Sequence, residues 1–325
     1  MVANNRNYSL DTLKTICCVF VILEHLWYVC TWLNGWVSQV ISTAVPLFFM
    51  ISGYFNSYET SLSKYWKRWK RIGKILLCSI IFYIVLYSAA DYFLGGTLLK
   101  IPTTIDDVWR IILFNDFHTI GRGHLWYLAA YLYVIAFFSL LKKINCMRLV
   151  SLLPLLLIPY IIISLYSKQF HDFNNFLFIG IPCFALGMLI KKYGRSEFSA
   201  MLYFSGGITL SMFILLLSGI TSPLMSKICQ WIFAISLFMF FTSIRQYRSN
   251  ILSKIGERYS LYIYVFHMAV IDLFFSTDFS HRYYYHMSFV SPFIIFFLTL
   301  FVSVAYKNCY DRIEMAFKSK FNTTR

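Results

Sequence analysis

Apolar residues fall along this chain in blocks of about twenty, the length a helix needs to cross a bilayer core, and short charged or polar segments separate the blocks. Ten such blocks, at 12–33, 38–57, 75–94, 124–141, 149–166, 176–190, 200–219, 227–244, 260–277 and 288–306, predict an all-α polytopic membrane protein. The connection 34–38 is so short that the first two spans must form an antiparallel hairpin. The long inner connection is 59–74, and the longest outer segment is 95–123, with room for a helix or lid that could contact an acceptor. The basic segment 307–325 reads as a surface helix or a disordered tail. No repeat, low-complexity tract, appended soluble domain or cleavable signal is evident, so residues 1–325 read as a single membrane-embedded domain.

Composition strengthens this picture. The chain is 59% hydrophobic and 13% charged, against about 45–50% and about 25% in soluble domains. A net charge of +15 would suggest nucleic acid in a soluble protein, but the placement of the charges says otherwise. With the N-terminus inside, 23 Lys and Arg lie on the cytoplasmic side and 6 on the outer side. The positive-inside rule then puts both termini in the cytoplasm and accounts for the charge without nucleic acid. None of the eight cysteines forms a CxxC pair, which argues against a disulfide framework or a zinc site, and no metal is expected.

Five segments carry candidate chemistry. The first span opens with DTLKTICCVFVILEH, ending in the ionisable pair Glu24 and His25. Ionisable groups at membrane depth are costly and mark functional sites. On one helix Asp11, Lys14, Cys18 and His25 share a face, and the fourteen residues from Asp11 to His25 span about 21 Å, giving a polar stripe from the surface into the bilayer. An imidazole there can take a proton from a hydroxyl and return it near neutral pH; a packing histidine is the plainer reading. Glu24 points about 100° away from His25 and could pair with another span. The second span reads PLFFMISGYF, where Pro46 predicts a bend and Ser52 and Gly53 admit a close neighbour, helix or ligand.

Within 59–74, Arg68 and Arg71 share a helix face and could clamp phosphate. The same basic segment, with Trp66 and Trp69, would also anchor to membrane lipid. The fourth span opens HLWYLAAYLYV, with His124, Tyr127 and Tyr131 on one face, although an interfacial aromatic belt explains Trp126 and Tyr127 without function. The ninth carries SLYIYVFH, in which Ser260, Tyr264 and His267 share a face; Tyr264 and His267, like Glu24, Trp126 and Tyr127, are candidate site-lining groups, with His267 site-lining or structural in a polar network.

These segments, in this order, resemble the acyltransferase 3 family of bacterial integral-membrane acyltransferases, whose members show LDxLRGxxxxxVxxxH, PLFFxxSGxxx, RxxR, an HxWFL-like segment and SxxIYxxH. Two positions depart from the pattern: Lys14 replaces the usual arginine and loses its bidentate fork, and Thr15 replaces glycine. The resemblance implies transfer of an acyl group, usually acetyl from acetyl-CoA, to a hydroxyl of a surface polysaccharide or lipid-linked glycan precursor at the bacterial plasma (inner) membrane. Carried onto this chain, it implies His25 as general base or acyl carrier, Asp11 and Lys14 beside it, and Arg68, Arg71, Lys14, Ser52 and Gly53 at the donor, with the pantetheine arm along the Asp11–His25 stripe. A glycan or small-molecule transporter and a membrane sensor or anchor module are the rival classes; binding of CoA separates the transporter from the transferase, and the lack of a fused domain weighs against the sensor.

Overall fold

A computed structural model describes residues 8–26, 30, 36–94, 102–114, 117, 123–166, 176–193, 198–218, 222–244, 246–275 and 289–322. These residues are all-helical, with thirteen α-helices joined by short 3₁₀ and π turns and no strand among them. The helices are α1 (Ser9–Glu24), α2 (Trp36–Ile41), α3 (Ala44–Phe55), α4 (Leu62–Leu94), α5 (Ile105–Phe114), α6 (Trp126–Lys143), α7 (Leu157–Tyr166), α8 (Ile181–Tyr193), α9 (Phe198–Ser218), α10 (Pro223–Ser243), α11 (Ile251–Arg258), α12 (Ser260–Phe275) and α13 (Ser291–Asn322). Six helical stretches are long and apolar enough to cross a membrane: Val37–Phe55, Leu62–Phe93, Gly123–Lys143, Phe176–Tyr193, Pro223–Ser243 and Ser291–Ile313. Leu153–Ser164, Met201–Leu215 and Ser260–Phe275 are apolar but shorter.

Several predicted spans take a different local form, each for a physical reason. The predicted second span, 38–57, is two helices with a turn at Ser42 and Thr43. There Thr43 Oγ1 donates to Val40 O at 2.6 Å and Ser42 Oγ to Gln39 O at 3.2 Å, local bonds that compete with a continuous helix. Pro46 therefore lies in the first turn of α3, where its missing N–H is not needed, and the break falls before it. The predicted connection 59–74, from Leu62 on, and the third span 75–94 are one 33-residue helix, α4. The predicted fifth span, 149–166, starts as 3₁₀ turns at Met147–Ser151 and Leu153–Leu156, with Pro154 inside the second, so only Leu157–Tyr166 is α-helical.

The chain packs as two compact units, Met1–Ala44 with Arg245–Arg325, and Val45–Ile244. In the first, α1 lies against α11 and α12, and α12 against α13. The short helix α11 is fixed by a capping box: Asn250 accepts from the Ser253 N–H at 2.7 Å, and Ser253 Oγ accepts from the Asn250 N–H at 2.9 Å. Helix α13 runs through the basic tail to Asn322. Its Phe293, Phe297 and Phe301, spaced four apart, form an exposed aromatic stripe, as a lipid-facing surface requires.

In the second unit α4 packs on α6, α8 on the turns before it, and α9 on α10. Its core holds the fully buried Phe49, Tyr65, Tyr83, Phe138, Phe184 and Phe238, with Phe138 and Phe184 ring centroids 4.5 Å apart. Leu77, Ile81 and Val85 form an exposed stripe along α4. Backbones of α3 and α8 touch: a Cβ added at Gly53 would meet the Phe184 Cα at 2.9 Å, and one at Gly187 would meet the Met50 carbonyl carbon at 2.8 Å. Within the predicted outer segment 95–123, α5 is capped by Asp107, whose carboxylate accepts from the Thr103 and Thr104 N–H groups at 3.1 and 3.0 Å. Hydrogen bonding from Thr104, then Thr103, holds that carboxyl below its ordinary range.

Candidate functional site

In the first unit the polar stripe of α1 begins with an ion pair. Asp11 is fully buried, and Lys14 Nζ donates to its Oδ1 at 2.8 Å. The i,i+3 spacing makes the contact local, and burial of the carboxylate strengthens it. The stripe ends differently from the expectation of a continuous 12–33 helix. Helix α1 stops at Glu24, and His25 is its C-cap, with its N–H on the carbonyls of Val21 and Ile22 at 3.3 and 3.2 Å. Glu24 and His25 are half-buried. Residues 27–29 and 31–33, the rest of that predicted span, lie outside the described residues.

His25 stands beside a second imidazole. Its ring centroid is 5.1 Å from that of His267 on α12, with the planes 37° apart. His267 is fully buried, and its Nδ1 is 2.7 Å from the Tyr264 carbonyl oxygen. A carbonyl only accepts, so Nδ1 carries the hydrogen, and Nε2 of neutral His267 presents a lone pair. Tyr264, also buried, has its ring 5.8 Å from the same imidazole. Below them, Cys18 Sγ reaches the Ser260 carbonyl at 3.6 Å. The sequence pattern aligned Ser260, Tyr264 and His267; only the packing of α1 on α12 reveals that His25 has an imidazole partner.

Thr15, the second departure from the family pattern, is buried, and its Oγ1 donates to the Leu252 carbonyl at 2.6 Å. The small residue at this crossing is on the facing helix. A Cβ on Gly256 would collide with the Asp11 carbonyl and lie 2.9 Å from Thr15 Oγ1. Close approach of α1 and α11 is thus kept with the glycine on α11, a position no sequence signal singled out.

The second unit holds the arginines. Arg68 and Arg71 lie on α4, half-buried and exposed respectively. Arg68 Nη2 donates to the Phe55 carbonyl at the end of α3 at 3.4 Å. Among the described residues neither guanidinium has a carboxylate partner. Three lysines converge on the same segment: Lys191 over the Tyr54 ring at 4.6 Å, Lys192 over Tyr58 at 4.7 Å, and Lys142 Nζ on the Tyr58 carbonyl at 2.6 Å. Lys142 is held in place because α6 ends at once after it, with Asn145 at φ 58° and the Cys146 N–H returning to Leu141 O at 2.9 Å. Five cationic side chains, Arg68, Arg71, Lys142, Lys191 and Lys192, gathered about one segment favour an anion there.

Ser52 is half-buried beside the Tyr131 hydroxyl, whereas Gly53 serves the α3–α8 contact. Tyr127 and Tyr131 stack at 6.1 Å, and Phe49 meets Tyr127 edge-on at 4.8 Å. Trp126 is half-buried, and His124 is buried 5.2 Å from the Tyr83 ring. Trp66 and Trp69 stack at 5.2 Å with Lys70 over Trp66, an arrangement suited to a membrane interface.

An imidazole pair can move a proton, and arginines without a carboxylate partner can hold an anionic donor. A family model described as an acyltransferase domain matches residues 7–307, nearly the whole chain. Comparisons with curated proteins and with solved structures found no match. The continuous match over all five motif segments, on a chain whose described residues are helical and include membrane-length apolar helices, shows that the chain belongs to the acyltransferase 3 family and is a multi-pass membrane acyltransferase.

Proposed function

We propose that this protein is an O-acetyltransferase of the bacterial plasma membrane, with both termini cytoplasmic, taking acetyl from cytoplasmic acetyl-CoA to a hydroxyl of a surface polysaccharide or lipid-linked glycan. Arg68 and Arg71, without carboxylate partners among the described residues, hold the donor phosphates, as bidentate guanidinium forks do. His25 takes the proton of the acceptor hydroxyl as its oxygen attacks the thioester carbonyl. The tetrahedral intermediate collapses, the C–S bond breaks, and the sulfur leaves as thiolate. The imidazolium returns its proton to that thiolate, so the enzyme ends as it began. Asp11, through its 2.8 Å ion pair, keeps Lys14 in place on the α1 stripe.

The observation that carries this reading is the His25–His267 pair: the two imidazoles lie 5.1 Å apart, centroid to centroid, and His267 is oriented by the contact of its Nδ1 with the Tyr264 carbonyl. Such a partner can receive a hydrogen bond from His25 and favour its basic form. The test is His25→Ala, assayed for acetylated glycan alongside membrane expression and monodispersity. Loss of transfer in a well-expressed variant is expected; near-normal transfer overturns the assignment.

A further inference from the structure

Three polar atoms of the second unit are buried without a hydrogen-bond partner at the junction of α3 and α4: Asn56 Oδ1, Tyr65 Oη and Arg68 Nη1. Asn56 and Tyr65 are each 1% exposed. The Tyr131 hydroxyl lies beside Asn56 and Ser52, with Arg68 as a neighbouring charge, and Tyr65 interacts electrostatically with Arg68 and Tyr131. The five side chains, Ser52, Asn56, Tyr65, Arg68 and Tyr131, thus make one cluster. Ser52 and Asn56 share a face of α3, and Tyr65 and Arg68 a face of α4. Buried polar atoms in folded proteins nearly always have partners, so three orphans in one place point to a group that binds there.

The chemistry of the orphans defines that group. Asn56 Nδ2 donates to Ser52 O at 2.8 Å. That bond fixes the amide, because a flip would set Oδ1 against a carbonyl. The unpartnered atom of Asn56 is therefore an acceptor, that of Arg68 a donor, and the Tyr65 hydroxyl can be either. A phosphate carries acceptors alone; it would satisfy Arg68 and repel Asn56 Oδ1. A secondary amide carries the complement of all three, an N–H for Asn56 Oδ1 and a carbonyl for Arg68 and Tyr65.

We propose that Asn56, Tyr65 and Arg68 bind an amide of the donor's pantetheine arm, making Asn56 and Tyr65 donor-binding residues that grip the uncharged part of the molecule. This rests on the reading of the donor as a coenzyme A thioester. The exposed Arg71 and the lysines 142, 191 and 192 remain for the phosphates. Arg68 spans both roles, with one nitrogen facing the cluster.

The full chain, purified in detergent, is titrated with CoA and with adenosine 3′,5′-bisphosphate, which has phosphates and no arm. Tyr65→Phe removes only an unbonded hydroxyl, and Asn56→Leu removes the acceptor. Each is expected to weaken CoA binding roughly three- to tenfold, the loss of one neutral hydrogen bond, and to leave the bisphosphate affinity unchanged. Equal weakening of both ligands would assign the cluster to phosphate, and unchanged CoA affinity in Tyr65→Phe would make it a hydrated packing feature; either overturns the proposal. A wild-type chain that binds the bisphosphate and CoA alike defeats the arm contact alone. One that binds neither removes the coenzyme A reading along with it.

Discussion

Gly256→Ala tests whether the α1–α11 contact sets the position of the Asp11–Lys14 pair. The added methyl would lie 2.8 Å from the Asp11 carbonyl carbon and 2.9 Å from Thr15 Oγ1, with the Asp11 oxygen nearer still. Carbon atoms settle about 3.5 Å apart or more, so the first contact alone demands roughly 0.7 Å of separation, and the oxygen demands more. The obstacle is backbone on α1, and α11 is pinned by its Asn250–Ser253 capping box, so neither side yields cheaply. Overpacking of this kind costs about 1–3 kcal/mol. A shift near 1 Å at a catalytic element costs on the order of a hundredfold in rate. The expected result is an expressed variant with a lowered apparent melting temperature in detergent and transfer reduced about ten- to a hundredfold. Adding Thr15→Gly removes the Oγ1 contact and leaves the carbonyl, so the double variant should stay impaired. Full rescue by Thr15→Gly, or wild-type activity and melting in Gly256→Ala, would refute the backbone contact as the determinant.

Replacing Arg68 and Arg71 together with Gln should weaken CoA binding by at least about tenfold, since charge-assisted bonds exceed neutral ones; calorimetry with an unchanged affinity would reassign the pair to lipid. Cysteines at Ser61 and Asp106, both exposed, test sidedness in a background cleared of native thiols: an impermeant reagent on intact cells should label position 106 and spare 61. The reverse pattern would put the arginines away from the cytoplasmic CoA pool.

The helical class and the chemistry-bearing segments were legible because hydropathy and motif order act locally. Asp11–Lys14 was legible too, being an i,i+3 pair. The end of α1 at Glu24 was not: the apolar run continues through Leu26, and neither glycine nor proline marks the stop. Basic residues from Lys64 to Lys74 interrupt the hydropathy and so read as a connection, yet Lys and Arg are good helix formers and the segment has no proline. Composition and backbone preference disagreed there, and backbone preference prevailed. Asn56 and Tyr65 carried no signal in sequence, because what marks them is the absence of partners, a property of packing. Thr15 looked like a loss until Gly256 on the facing helix showed where the needed space had gone.

The continuity of α4 has a consequence for how the donor arginines can vary. Thirty-three residues of helix measure about 50 Å, well beyond the roughly 30 Å of a hydrocarbon core. Arg68 and Arg71 therefore ride on a rigid rod whose other end is set by Tyr83 and Tyr87 in the core. On such a rod azimuth and height are coupled through the helical pitch. One residue inserted after Lys74 turns both guanidinium groups about 100° and moves them only about 1.5 Å, whereas seven residues restore their bearing to within about 20° but displace them about 10 Å. Length changes in this helix cannot keep both coordinates at once, so the register of α4 is a dimension the protein must hold constant while the loops around it remain free to change.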